Sequence, residues 1–224
     1  MAEAPFFIFD LDGTLVDNVY EHVLAWKKAL DEEAIIVSTW RIHRRIGMSG
    51  TLLVRELARE LGAAVAPDRV ERVHKRHGEI FRSFGAVGRP LPGAKELLAY
   101  LSQRAIAWAI ATSGHAENAR AALAALDVDA DNAVIVTRDQ VQAAKPEPDL
   151  FLEAAARMTR SVERALVVGD SVWDMVAATR ARSVGLGLLS GGYSASELRE
   201  AGANRTFDDP ADLLAHIEEL APQG

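Results

Sequence analysis

The sequence predicts an α/β fold: a doubly wound, parallel-sheet, Rossmann-like core with an inserted small all-α cap domain. Two observations support this prediction. Short apolar runs alternate with amphipathic helical patterns over most of the chain, which is typical of parallel strands joined by helices. Residues 18–84 break this alternation, because they contain helical patterns and no convincing strand beyond the brief run 35–37. We therefore assign residues 1–17 and 85–224 to the catalytic core and residues 18–84 to the cap.

The individual elements follow from the hydrophobic pattern. Apolar runs with the length of buried strands cover residues 5–9, 106–111, 134–136, 165–168 and 184–189. Core helices are expected over 93–104, 116–126, 149–158, 172–182 and 211–220. Cap helices are expected over 19–32, 39–45, 50–61 and 67–84, with Ser38 and Ser49 as N-caps. The flanking segments 15–18 and 85–92 are interpreted as hinges.

Composition excludes several classes of protein. The chain has 224 residues, a net charge of −7 and no cysteine, so disulfides and thiolate–metal sites are excluded. Its acidic balance does not resemble the basic surface of a nucleic-acid binder. No apolar run approaches the roughly 20 residues of a membrane span, and the N-terminal segment lacks the basic region of a signal peptide. We expect a cytoplasmic monomer or homodimer without nucleic-acid or membrane partners.

Polar side chains follow the first two predicted strands. Asp10 and Asp12 come directly after a buried apolar run. Burial of carboxylates at the carboxyl end of a strand costs free energy, and in an open sheet this end is where ligands bind. Thr112 ends the second strand, and we expect Ser113 and Gly114 to open a helix whose N–H groups bind an anion. Two alternatives involve no function. Asp12 and Gly13 would only form a turn, and the segment after the second strand would only cap a helix.

Two further segments carry charged residues. Lys145 precedes Pro146, which restrains it to an extended conformation. Asp170 and Asp174 follow the run 165–168 and lie one helical turn apart. Taken alone, Lys145 would be a solvated surface lysine and Asp170 a helix-capping acid. Together the acids, the hydroxyl and the lysine suit phosphoryl transfer, because Mg²⁺ binds carboxylates, cations neutralise phosphate oxygens and a carboxylate can attack phosphorus.

These four segments, in this order, resemble the haloacid dehalogenase superfamily, whose phosphatase signature Asp-x-Asp-Gly-Thr matches residues 10–14. The resemblance implies that Asp10 is the nucleophile and Asp12 the general acid–base. It also implies a metal site formed by Asp10, Asp170 and the backbone carbonyl of Asp12. Asp174 would be an outer-sphere or water-mediated partner of this metal.

The resemblance also implies that Thr112 and Lys145 bind the phosphate, with Ser113 beside them. The insertion point of the cap is similar to that of the phosphoglycolate phosphatase and β-phosphoglucomutase branch. The predicted function is that of a Mg²⁺-dependent phosphatase. It would hydrolyse a small phosphorylated metabolite through an aspartyl-phosphate intermediate.

The cap separates the remaining alternatives. His22 matches the hinge histidine of the β-phosphoglucomutases, and Ser49 and Lys75 are further candidates for substrate contact. Gly50, however, stands where those mutases place a phosphate-binding arginine. A β-phosphoglucomutase-like phosphomutase is therefore the first alternative. A non-catalytic binding member of the same fold is the second.

Overall fold

The computed structural model describes residues 4–85, 88–130 and 132–220. Its strands are β1 (Phe6–Phe9), β2 (Val16–Asp17), β3 (Arg89–Pro90), β4 (Trp108–Ala111), β5 (Val134–Val136), β6 (Ala165–Gly169), β7 (Val184–Leu188) and β8 (Ala203–Phe207). Its α-helices are α1 (Val19–Glu32), α2 (Thr39–His43), α3 (Gly50–Glu60), α4 (Pro67–Ser83), α5 (Ala94–Gln103), α6 (Ala116–Ala125), α7 (Asp149–Arg157), α8 (Val172–Arg180), α9 (Ala195–Glu200), α10 (Pro210–Ala215) and α11 (Ile217–Leu220).

Within the described residues, six strands form one parallel sheet in the order β5-β4-β1-β6-β7-β8. The chain order reverses beside β1, since β4 and β5 extend the sheet on one side and β6 to β8 on the other. In open sheets of this kind, such a switch point marks the crevice where ligands bind. The expected doubly wound parallel sheet is confirmed.

Strand β1 lies at the centre of two hydrophobic layers. Phe7 and Phe9 pack with residues of α5, α6 and α10 on one face of the sheet. Phe6 and Ile8 pack with residues of α7 and α8 on the other face. All four side chains are fully buried, and burial of each contributes roughly 1.5–3 kcal/mol. The alternation that buries both faces of β1 holds its carboxyl end in a fixed position.

The helices α1 to α4 pack against one another around a separate hydrophobic cluster that includes Trp26, Leu30 and Leu57. A short antiparallel ribbon of β2 and β3 joins this helical unit to the core, with Val16 opposite Pro90. The division at residues 18–84 stays a prediction, and positions 86 and 87 of the second predicted hinge lie outside the described residues. Among the helices described, none combines the length and apolar character that crossing a bilayer requires.

Candidate active site

Asp10 lies at the carboxyl end of β1, directly after Phe9. Its backbone N–H donates to the carbonyl oxygen of Val168 on β6 at 2.9 Å, so the sheet fixes its backbone. The side chain is 3% exposed. Burial, opposed by Lys145 and reinforced by Asp174 and Asp12, raises the pKa of Asp10 to about 7. A carboxylate in this position therefore needs compensating positive charge to be ionised at neutral pH.

Lys145 supplies part of that charge. Its Nζ lies 2.5 Å from Oδ1 of Asp10 and 2.8 Å from Oδ1 of Asp174. The lysine is completely buried. Burial alone would lower the pKa of Lys145, but the charges of Asp10 and Asp174 outweigh it and hold the pKa above its usual value. The ammonium group thus stays protonated and positions the Asp10 carboxylate.

Three buried acids converge beside Lys145. One side-chain oxygen from each of Asp10, Asp170 and Asp174 lies within 4.8 Å of the others. Burial, together with the charges of Asp174 and Asp10, raises the pKa of Asp170 well above its usual value. A divalent cation would remove the repulsion and the desolvation cost that raise these pKa values. All donors are oxygens, which Mg²⁺ prefers, so the residues present fit this metal.

Asp170 and Asp174 differ in their hydrogen bonding. Oδ1 of Asp170 accepts from Thr14 Oγ1 at 2.7 Å. Asp174 uses Oδ1 for Lys145, while its Oδ2 accepts from the backbone N–H and the hydroxyl of Ser171 at 3.0 and 2.5 Å. Both oxygens of Asp174 are therefore engaged with the protein. This arrangement favours a positioning role for Asp174 at the edge of a metal site.

The Asp12 carboxylate has other partners than this acid cluster. Asn18 donates to its Oδ1 at 2.5 Å, Nε2 of His22 lies 3.4 Å from the same atom, and Thr112 Oγ1 donates to Oδ2 at 3.4 Å. Burial opposes ionisation of Asp12, but His22 and Asn18 outweigh it and lower the pKa of Asp12. The structure thus gives the two acids separate partners. Asp10 contacts Lys145, and Asp12 contacts Asn18 and His22 of the helical unit as well as Thr112 of the core.

The segment after β4 differs in one detail from the expectation. Helix α6 begins at Ala116, with His115 at the N-cap, so Ser113 and Gly114 precede the helix by a short turn. Gly114 donates its N–H to Thr112 Oγ1 at 3.0 Å. The Ser113 hydroxyl donates to the carbonyl oxygen of Gly47 at 3.0 Å and so joins the core to the helical unit.

The three candidate residues of the cap occupy different places. His22 lines the cavity above Asp10 and Asp12, whereas Ser49 and Lys75 do not. Ser49 stands at the N-cap of α3 without a capping bond from its side chain, and its N–H donates to the carbonyl oxygen of Lys145 at 3.0 Å. Lys75 is exposed and faces a neighbouring cleft.

Several other residues that line the cavity were missing from the sequence-based prediction. His74 and His77 of α4, together with His115 and Asn118 of the core, form part of its wall. His77 stacks on Trp26, with ring centroids 3.9 Å apart. The spacing of His74 and His77 puts them on one face of α4, and that signal was available. Nothing in the local sequence places His115 or Asn118 opposite that face.

Comparison with known proteins agrees with this geometry. The family model described as haloacid dehalogenase-like hydrolase matches residues 6–182. A phosphoglycolate phosphatase from Rhodospirillum rubrum is 31% identical, and the match covers 92% of this chain and 88% of that protein. A phosphorylated carbohydrates phosphatase from Thermotoga maritima is 30% identical over 95% of this chain and 98% of its own length.

A solved structure is also similar over nearly the whole chain. The structure of a hydrolase from Pseudomonas syringae superimposes with a TM-score of 0.94 at 48% identity, covering 97% of this chain and 99% of that one. The family model spans the acids, Thr112 and Lys145, which the fold brings together at one edge of the sheet. The chain belongs to the haloacid dehalogenase-like hydrolase family and is a phosphoric monoester hydrolase of that family.

Proposed function

We propose that this chain is a Mg²⁺-dependent phosphatase that hydrolyses a small phosphate monoester through an aspartyl-phosphate on Asp10. The separation of the two acids is the observation that carries the proposal. Lys145 lies 2.5 Å from Asp10, while Asp12 is held by Asn18 and His22. Two acids with different partners can perform two different roles, one as nucleophile and one as proton carrier. The names of the two phosphatase relatives support a small phosphorylated substrate.

Asp10, Asp170 and the backbone carbonyl of Asp12 would hold Mg²⁺. The bound metal would stabilise negative charge on the phosphoryl oxygens. In the first step, a carboxylate oxygen of Asp10 forms a bond to phosphorus as the ester P–O bond breaks. The leaving oxygen takes a proton from Asp12. The negative phosphoryl group beside Asp12 raises the pKa of that acid, which favours the protonated form needed here.

In the second step, water attacks the phosphorus of the aspartyl-phosphate, and the bond between phosphorus and Asp10 breaks. Asp12 accepts the proton from this water. The lowered pKa of Asp12 suits this second role, because the group is ionised once the ester has left. Thr112 and Lys145 would bind phosphoryl oxygens during both steps.

The phosphomutase alternative requires a place for a second phosphate, and Gly50 argues against it. A Cβ atom at Gly50 would lie 2.6 Å from the ring of His74 and 3.0 Å from Trp26. A side chain at this position would require His74 and Trp26 to move, and glycine itself supplies no cationic group for a second phosphate. The non-catalytic alternative offers no reason for three buried acids around one lysine.

The test is phosphate release from a panel of small phosphate monoesters, combined with acid trapping of a ³²P-labelled enzyme. We expect activity that requires Mg²⁺, is abolished by chelator and is restored by excess metal. Asp10→Asn should form no labelled enzyme. Full turnover in chelator, or a labelled Asp10→Asn variant, would contradict the proposal. Conversion of β-glucose 1-phosphate to glucose 6-phosphate, faster than phosphate release and followed by NMR, would favour the mutase.

A further inference from the structure

The cavity above Asp10 and Asp12 is small. Its volume is about 60 Å³. That is the room of about four to six water molecules, whereas pockets for drug-sized ligands measure roughly 300–1,000 Å³. Because the floor of the cavity must also hold the phosphoryl group, little space remains for the leaving group. The limited space therefore favours a short leaving group over a six-carbon chain.

The wall of the cavity offers no net positive charge to that leaving group. Among the described residues, neither a lysine nor an arginine lines it. Burial, together with neighbouring histidines, lowers the pKa of His77 well below its usual value and also lowers that of His74. Both rings are therefore neutral near pH 7, and neutral imidazoles donate or accept hydrogen bonds without balancing an anion.

The other two histidines of the wall are balanced by acids. Nδ1 of His115 lies 2.5 Å from Oδ1 of Asp139, and Nε2 of His22 lies 3.4 Å from Asp12. Each of these two rings therefore faces an acidic side chain of the protein. A second anionic group on a substrate would thus be buried near Asp10 and Asp12 without a cationic partner, which is costly.

Lys145 reaches the floor of the cavity, where its Nζ contacts Asp10, and two further cations lie outside the wall. Lys75 and Arg82 line a neighbouring cleft, which meets the cavity at His74, His115 and Asn118. Arg82 donates to Asn118 Oδ1 at 2.7 Å and lies 3.4 Å from Glu117. These contacts engage the guanidinium, and Glu117 compensates part of its charge.

We infer that the leaving group of this enzyme is a neutral, hydroxyl-bearing alcohol of two or three carbons, and that esters with a second anionic group are rejected. The inference rests on the proposed phosphatase function and goes beyond it by assigning the substrate class. The imidazoles and the Asn118 amide supply donors and acceptors for hydroxyl groups. The stacked rings of Trp26 and His77 supply an apolar surface for the carbon chain.

A matched pair of substrates tests whether the enzyme rejects an anionic leaving group. The leaving groups of 2-hydroxyethyl phosphate and 2-phosphoglycolate have similar lengths and differ in a hydroxyl against a carboxylate. With the full chain and Mg²⁺, we expect kcat/KM to be at least about tenfold higher for 2-hydroxyethyl phosphate, because an unpaired buried charge costs more than one hydrogen bond gains. Sorbitol 6-phosphate tests the size, and its kcat/KM should also be lower.

A charge placed in the wall should invert the preference. His74→Lys puts an ammonium group beside the leaving group and should shift the ratio toward 2-phosphoglycolate by at least about tenfold. His216→Lys is the matched control, because His216 lines a different cleft, and it should leave the ratio unchanged. Asn118→Lys is the second variant if His74→Lys fails to fold.

The outcomes separate the two claims. If kcat/KM for 2-phosphoglycolate is equal to or higher than that for 2-hydroxyethyl phosphate, the leaving-group assignment is overturned. The phosphatase proposal is unaffected by that result. Equal turnover of sorbitol 6-phosphate overturns the assignment of size. Failure to hydrolyse any ester of the panel overturns the proposed function and this inference with it.

Discussion

The Nζ atom of Lys145 lies 2.5 Å from Oδ1 of Asp10, and neither side chain is appreciably exposed to solvent. The pair brings together the loop before α7 and the end of β1, which lie 135 residues apart in the chain, from 10 to 145. An ammonium group so close keeps an oxygen of Asp10 in place and favours its ionised form. The acid proposed as nucleophile is thus oriented before any substrate arrives.

Replacement of Lys145 by methionine should remove this orientation and destabilise the fold. We expect activity to fall at least about a hundredfold, since loss of one positioned donor has that effect. In metal-free buffer at pH 8, the free energy of unfolding should fall by about 3–5 kcal/mol, because the buried acids lose their cation. Urea denaturation and phosphate release measure the two effects.

Lys95→Met is the matched control. Lys95 pairs with Asp127 at 2.7 Å, but both side chains are well exposed. Exposed pairs of this kind contribute about 0–1 kcal/mol. Similar losses in the Lys95→Met and Lys145→Met variants would show that the buried pair has no special role.

Metal binding should depend on pH in a direction that the acid cluster determines. The pKa of Asp10 is raised from 3.8 to about 7, and that of Asp170 is also raised, by burial first. Between about pH 4 and about pH 7, folded Asp10 holds a proton that the unfolded chain has released. The contribution of Asp10 to stability therefore falls as pH rises from about 4 to about 7. The raised pKa of Asp170 acts in the same direction.

We therefore expect Mg²⁺ to raise Tm more at pH 8 than at pH 5.5, and Mg²⁺ binding near pH 6 to release protons. Thermal unfolding with and without metal, and calorimetry in two buffers of different ionisation enthalpy, measure these effects. The Asp170→Asn variant should show a smaller metal-induced rise and a weaker pH dependence. A rise in Tm that is the same at both pH values would contradict metal binding at this cluster.

The hydrophobic pattern of the sequence was sufficient to predict most strands of the sheet, because the central strands are continuous apolar runs. The edge strand β8 was missed, since its middle residues Asn204, Arg205 and Thr206 are polar and only its ends are buried. The ribbon of β2 and β3 was missed because each strand has two residues. Strand β8 therefore gives no apolar run, and β2 and β3 are too short to show a periodic pattern.

The acids and the lysine of the candidate site were predictable for a different reason. Asp10 and Asp170 follow buried strands, and the carboxyl ends of parallel strands meet at one edge of a sheet. His115 contacts His74 of the opposing helix α4, with ring centroids 4.9 Å apart, and this contact depends on how the helical unit lies against the core. Such a contact is set by long-range packing, which no local spacing encodes.

Replacement of Asp12 by asparagine should affect poor leaving groups most. The variant keeps a backbone carbonyl for metal and loses the proton carrier that Asn18 and His22 hold in place. Alkyl phosphates should lose about 10²–10⁴-fold in rate, the usual contribution of general acid–base catalysis. Activated aryl phosphates, whose leaving groups need no proton, should lose less in the first step. Single-turnover rates of enzyme phosphorylation measure this step, and equal losses on both ester types would contradict the role.

The helical unit should control the reaction through Gly47, which touches the core at two points. Its carbonyl oxygen accepts from the Ser113 hydroxyl at 3.0 Å. Its backbone is left-handed, with φ of +93°, and a Cβ there would overlap Oγ of Ser171. Ser171 cannot turn away freely, because its hydroxyl donates to Asp174 at 2.5 Å. Alanine at this position should therefore push the helical unit away from the core.

Gly62 provides the matched control for this change. It is also left-handed, with φ of +69°, and a Cβ there would meet nothing within 4 Å. Both alanine variants should lose about 1 kcal/mol of stability through backbone strain. Only Gly47→Ala should lower kcat/KM on a small alkyl phosphate, by about tenfold to a hundredfold, since displacement by about 1 Å can have that effect. Because Gly62→Ala reproduces the strain without the overlap, equal activity in the two variants would mean that the close approach of Gly47 to Ser171 does not control the reaction.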